Sequence, residues 1–176
     1  MLTGRAGTYA ENHRDQLAVA AVALLTSVLY VARLGFYNDD WSYLSAYANA
    51  PHKDLWTLIR ASWSPITYMR PVAIAYHGAL YWAFGTAPLG YHLVNAVVFA
   101  ASGAMLNRLL GELGFGRRRS FAVAMIWATL PHASTIRLWY TAFPVGLSIA
   151  MAFAAILCEI RAVRRRNMGW RMLSFV

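Results

Sequence analysis

The chain has 176 residues, 59% of them hydrophobic and 13% charged, with a mean hydropathy of +0.42; soluble domains run at roughly 45–50% apolar and 25% charged, so an ordinary soluble domain and a disordered chain are both excluded. The net charge of +9 would suit nucleic acid, but the basic residues flank long apolar runs, which is the pattern of a membrane protein with no nucleic-acid partner. The single cysteine, Cys158, excludes an internal disulfide and any multi-cysteine metal centre.

A membrane-crossing helix needs about 20 mostly apolar residues. Residues 1–16 precede the first such run. Residues 17–36 form it, with Arg33 near the end, where its side chain can snorkel to the interface. A cleaved signal peptide is the competing reading, but Arg33-Leu34-Gly35-Phe36-Tyr37 offers no small-residue cleavage site. An uncleaved first span is expected.

Residues 37–90 then read as one long loop with short helices. Residues 41–50 form one, ended by Pro51. Residues 52–63 form another, with Leu55, Leu58, Ile59 and Trp63 on one side. That pattern fits a helix lying in the membrane surface, or equally one packed on a partner. Residues 71–84 are apolar but too short to span, and they carry Tyr76, His77, Tyr81, Trp82 and Phe84, as interfacial segments do. Gly85-Thr86-Ala87-Pro88-Leu89-Gly90 breaks them from the next apolar run.

Further spans are expected at 91–110, 120–136 and 138–158, the last two with internal prolines Pro131 and Pro144. Residues 159–176 form a tail, and its end, from Trp170, reads like the start of a fifth span. Charge decides how 71–84 lies. If it lies flat and the N-terminus is cytoplasmic, eleven of the 16 basic residues fall inside and five outside. If it crosses, Arg117, Arg118 and Arg119 move outside, against the positive-inside rule. The expected fold is therefore an all-α membrane protein, a single membrane domain with about four transmembrane helices. It has a long first extracytoplasmic loop containing interfacial helices. It would sit in the cytoplasmic membrane as a multi-pass protein with both termini cytoplasmic.

Asp39 and Asp40 come directly after the first span. Two carboxylates at a lipid–water boundary can take a proton from an incoming hydroxyl, with a pKa tuned by burial and by each other. They could also hold a divalent cation. Equally, either could cap the next helix, and one can cap while the other reacts. Arg70 falls at headgroup depth, where a guanidinium can grip a phosphate or anchor in lipid headgroups. Arg137, beside Trp139 and Tyr140, reads first as an interfacial anchor and second as a phosphate contact. His77, His92 and His132 have spacings that match no zinc motif. His92 and Asn95 share one helix face and should line a cavity or bond to neighbouring helices. Gly103 gives a small-residue packing signal. The arginine runs at 117–119 and 161–166 read as topology anchors with some anionic lipid contact. No glycine-rich phosphate loop, nucleophile elbow or dinucleotide fingerprint is present.

The order of these features resembles the N-terminal part of a known family. The first span leads into Phe36-Tyr37-Asn38-Asp39-Asp40-Trp41. Arg70-Pro71-Val72 comes next, then the phrase from Phe84 to Asn95 and Leu130-Pro131-His132. Together they resemble polytopic glycosyltransferases of the GT-C superfamily, of the protein O-mannosyltransferase-like kind, over roughly residues 15–165. The resemblance implies a polyprenyl-phosphate-linked sugar donor used on the extracytoplasmic face. It makes Asp39 or Asp40 the general base, Asp39 by preference on position, and Arg70 a contact to the donor phosphate. His92, Asn95, His132 and Arg137 are further candidate substrate contacts. Such enzymes have many more spans, so this chain reads as a fragment or as half of a split enzyme. Its partners would then be the donor, membrane lipids and a C-terminal part or partner membrane subunit. No cofactor is expected beyond a possible divalent metal at Asp39 and Asp40. The alternative function is a catalytically inactive small multi-pass accessory protein.

Overall fold

The structure, a computed structural model, describes residues 3–63, 70–131, 134–165 and 168–173. All regular structure among them is helical, with no strand. Among the described residues three segments are long and apolar enough to cross a membrane, His13–Val31, Pro88–Glu112 and Tyr140–Arg164.

The first helix, α1 (Thr3–Val31), has 29 residues, about 43 Å at 1.5 Å per residue. It starts before the apolar run and stops five residues short of the expected end. The chain leaves it through a turn, Arg33 N–H to Tyr30 O and Leu34 N–H to Val31 O. Three short helices come next, α2 (Asp40–Ala48), α3 (Leu55–Ala61) and α4 (Pro71–Phe84). Asn38, at φ 41°, makes the left-handed turn into α2, a conformation asparagine tolerates. Lys53 closes the other end of α2, its Nζ donating to the carbonyls of Tyr47, Ala48 and Ala50 at 2.9, 2.7 and 3.0 Å. Asp54 caps α3, accepting from Thr57 N–H (3.0 Å) and Thr57 Oγ1 (2.6 Å). The α3 residue buried completely is Leu58, against Tyr47 and Ala50, whereas Trp56 and Trp63 are exposed. Pro71 opens α4 at a position where its missing N–H costs nothing. Gly78 lets α3 pack on α4, since a Cβ there would lie 3.1 Å from Ile59 Cγ1.

Helix α5 (Pro88–Glu112) matches the expected second span closely. The third expected span does not form one helix. Helix α6 (Arg117–Thr129) has 13 residues, about 20 Å, and falls short of a bilayer's roughly 30 Å. Proline explains where it stops: the residue before proline avoids helical backbone, and Leu130 is extended at φ −65°, ψ 137°. A short helix, α7 (Ser134–Leu138), and a 3-10 turn (Tyr140–Ala142) then lead into α8 (Phe143–Arg165). Pro144 sits in the first turn of α8, near the start of the apolar segment Tyr140–Arg164. The last described element is α9 (Met168–Leu173), which contacts α8.

Helices α1, α5 and α6 share a core of Val19, Ala23, Phe99, Ala100, Ala124 and Ala128. Four alanines among these six let the backbones approach closely. Gly103 belongs to the same contact, with Val19 Cγ1 3.1 Å from where its Cβ would be. Trp127 stacks on Phe99 with ring centroids 4.5 Å apart. One end of the bundle is tied by ion pairs, Arg117 to Asp15 and Arg164 to Glu112. The opposite end carries α2–α4 as a cap, joined by Leu44, Leu80, Tyr91, Tyr140 and Phe143.

Candidate functional site

The two aspartates have different fates. Asp39 is exposed and occupies the N-cap position of α2 without a side-chain bond to the helix. Asp40 is 0% exposed. Its Oδ2 accepts from Tyr37 N–H at 2.8 Å and its Oδ1 from Thr141 N–H at 3.2 Å. The second bond crosses 101 residues of sequence and ties the start of α2 to the turn before α8. Burial pushes the Asp40 carboxyl above the usual carboxylate range, and the two amide bonds only partly offset this. Both Asp40 oxygens thus face N–H donors. Among the described residues no three His, Cys, Asp or Glu side chains gather.

The junction of cap and bundle holds other buried polar groups. His92 Nε2 donates to Gly35 O at 3.3 Å, which sets its tautomer and leaves Nδ1 buried without a partner. Asn95 Nδ2 donates to the carbonyls of Ile136 and Arg137, both at 2.9 Å. These contacts bond to neighbouring segments, one of the two roles their shared face allowed. Arg137 points into the bundle. Its Nη2 donates to Thr26 Oγ1 (2.8 Å) and Ser27 Oγ (3.2 Å), and its guanidinium lies 4.9 Å from the Phe99 ring centroid. The expected surface anchor is therefore 9% exposed and bridges α7, α1 and α5. Nothing local in the sequence marks Thr26 or Ser27 as its partners. His132 lies outside the described residues.

A groove of about 470 Å3 opens beside this junction. Arg70, His77, Tyr43, Thr141 and Ser148 supply its polar groups, and Ile74 and Val145 are among its apolar ones. Arg70 is exposed. His77 is 2% exposed and packs against Tyr140 and Tyr43, with centroids 4.5 and 5.0 Å away. Burial pulls its imidazole down to about 4, so it is neutral at physiological pH. Thr141 is the link between groove and aspartates: it lines the groove and its N–H holds Asp40. Sequence reasoning had no signal for Tyr43, Thr141 or Ser148, which join Arg70 only through the fold.

The fold and these three apolar helices define an all-helical membrane protein. No protein-family model matches the chain, and comparison with curated proteins and with solved structures gives no match.

Proposed function

We propose that the chain is a membrane glycosyltransferase, whole or as the N-terminal part of one. It transfers a sugar from a polyprenyl-phosphate donor to an acceptor hydroxyl on the extracytoplasmic face of the cytoplasmic membrane, with both termini cytoplasmic. The observation that carries this reading is the division of the aspartate pair, with Asp40 held by the N–H of Thr141, a residue that lines the Arg70 groove. Asp40 is buried and engaged, so it positions. Asp39 stays exposed beside it, free to meet an acceptor.

In this mechanism the acceptor oxygen attacks the anomeric carbon and its proton passes to Asp39. The bond from that carbon to the phosphate oxygen breaks, and polyprenyl phosphate leaves. Arg70 stabilises the phosphate through its charge and its paired donors. The hydroxyls of Tyr43 and Ser148 offer hydrogen bonds to the sugar. The α2–α4 cap lies along the outer leaflet, where the donor is anchored. The chain's basic residues, clustered at the far end of the bundle, support that orientation.

The test is sugar transfer from a polyprenyl-phosphate donor in membranes holding the full-length protein. Asp39→Asn should lower the rate by about a hundredfold or more, the usual range for a lost general base. Arg70→Gln should raise the KM for the donor. Full activity in Asp39→Asn removes the base assignment. No transfer by the wild type, with co-purification of a larger membrane enzyme, is the result expected of an accessory protein.

A further inference from the structure

A second cleft, of about 350 Å3, opens at the capped end of the bundle and shares no lining residue with the Arg70 groove. Tyr37 and Asn38 wall one side, from the segment that leaves α1. Ser134, Thr135, Leu138 and Trp139 wall the other, from α7 and the residue after it. Among the described residues no charged side chain lines the cleft. Nothing in it selects an ion, whereas the groove offers the guanidinium of Arg70.

The cleft offers neutral polar groups that a ligand can reach. Tyr37 is 50% exposed, and Asn38, Ser134 and Thr135 are exposed as well. A phenol, an amide and two hydroxyls both donate and accept hydrogen bonds, which matches a ligand whose own groups are hydroxyls. Trp139 lines the cleft with its indole N–H buried, so its side chain contributes apolar ring there. Tyr37 adds a second ring. Rings beside neutral donors and acceptors complement a pyranose, which has an apolar C–H face and a rim of hydroxyls. A lipid tail would leave the amide and the hydroxyls unpaired, and a phosphate would find no cation.

Asp40 ties this cleft to the candidate site. Its Oδ2 accepts from the N–H of Tyr37, which walls the cleft, and its Oδ1 from the N–H of Thr141, which lines the groove. One buried carboxylate thus fastens a wall of each. Asp39 follows Asn38 directly and is exposed. We infer that the cleft is an acceptor subsite and that the acceptor is a neutral saccharide, its ring against Trp139 and Tyr37 and its hydroxyls bonded to Asn38, Ser134 and Thr135. This rests on the transferase reading and names the substrate class: the charged groove takes the donor phosphate and the uncharged cleft takes the acceptor. A hydroxyl oxygen of the bound saccharide forms the new bond to the anomeric carbon, its proton passes to Asp39, and the bond from that carbon to the phosphate oxygen breaks.

Binding without donor separates this inference from the transfer reaction. The full-length protein in nanodiscs is applied to an array of neutral oligosaccharides of glucose, mannose, galactose and N-acetylglucosamine, of their sialylated counterparts, and of peptides rich in serine and threonine. Neutral oligosaccharides should retain the wild type. Tyr37→Ala should weaken that retention about tenfold, and Thr135→Val by a similar factor, as expected for one lost ring contact or hydrogen bond. Both residues are exposed, so the thermal midpoints in detergent should stay at the wild-type value. Trp82→Ala, at an exposed ring on α4, should leave retention unchanged. Retention by the peptides or by the sialylated glycans alone overturns the inference, as does retention by nothing on the array. Neutral-saccharide retention that both cleft variants leave intact also overturns it. Cleft-dependent retention without sugar transfer in membranes supports the saccharide site and overturns only its role as the acceptor's.

Discussion

Burial strips water from the Asp40 carboxylate, and two backbone amides replace only part of that hydration. An amide at this position keeps one acceptor but turns an N–H2 donor toward another donor. Asp40→Asn should therefore lower stability by about 1–3 kcal/mol, read as a fall in the thermal midpoint in detergent. Asp39→Asn should leave that midpoint unchanged, because Asp39 makes no cap bond. The imidazole of His77 sets a pH dependence of opposite chemistry. Its folded pKa, pulled down to about 4, lies below the unfolded value of about 6.5. The folded state thus binds its proton less tightly than the unfolded chain. Its contribution is intact above pH 6.5 and is lost as pH falls toward 4, on the order of 3 kcal/mol in all. His77→Phe, which fits among Tyr43 and Tyr140, should remove that part of the acid-side loss in a pH series of melting curves. Neither effect could be read from the sequence. Asp40 looks like Asp39 until Thr141 arrives from 101 residues away, and Arg137 looks like an anchor until Thr26 and Ser27 turn it inward.

Element boundaries follow local chemistry, and most of that was legible. Pro71 opens α4 and the α5 span lies where hydropathy put it, but α5 starts at Pro88, inside the segment 85–90 expected to break the chain, and α3 starts at Leu55 after its Asp54 cap rather than at residue 52. The third span misled because its apolar run continues through Pro131 while the helix cannot. Composition measures apolarity, whereas α6 ends on the backbone restriction that proline places on Leu130. Lys53 is an element-scale device that hydropathy misses altogether, since its role lies in three carbonyls at the end of α2. Lys53→Met should fray α2 and cost about 1 kcal/mol. Faster hydrogen exchange confined to residues 45–50 would be its signature. At the α1–α5 crossing, Gly103→Leu has nowhere to go beside Val19 and Trp127. It should destabilise by about 1–3 kcal/mol through overpacking, measurable as a lower unfolding midpoint, whereas Gly111→Ala, with open space around it, should not.

The whole molecule has two unlike ends. One is fastened by arginine–carboxylate pairs around Asp15 and Glu112. The other carries the α2–α4 cap, the aspartates and the Arg70 groove. The membrane character and the helical cap after the first span were legible from apolar runs and from turn residues. How the cap docks was not, because it rests on aromatic contacts between distant segments, such as Phe36 on Tyr91 and Tyr140 at 5.1 and 5.7 Å. Transfer from a lipid-borne donor requires this capped end to face away from the cytoplasm. Cysteine labelling decides that. His52 is exposed on the cap, so a His52→Cys protein in a Cys158→Ser background carries one reporter thiol. A membrane-impermeant maleimide should label it in intact cells, to the same extent as after permeabilisation. Labelling that appears only once the cells are permeabilised would put the aspartate pair on the cytoplasmic side and contradict the proposed transfer.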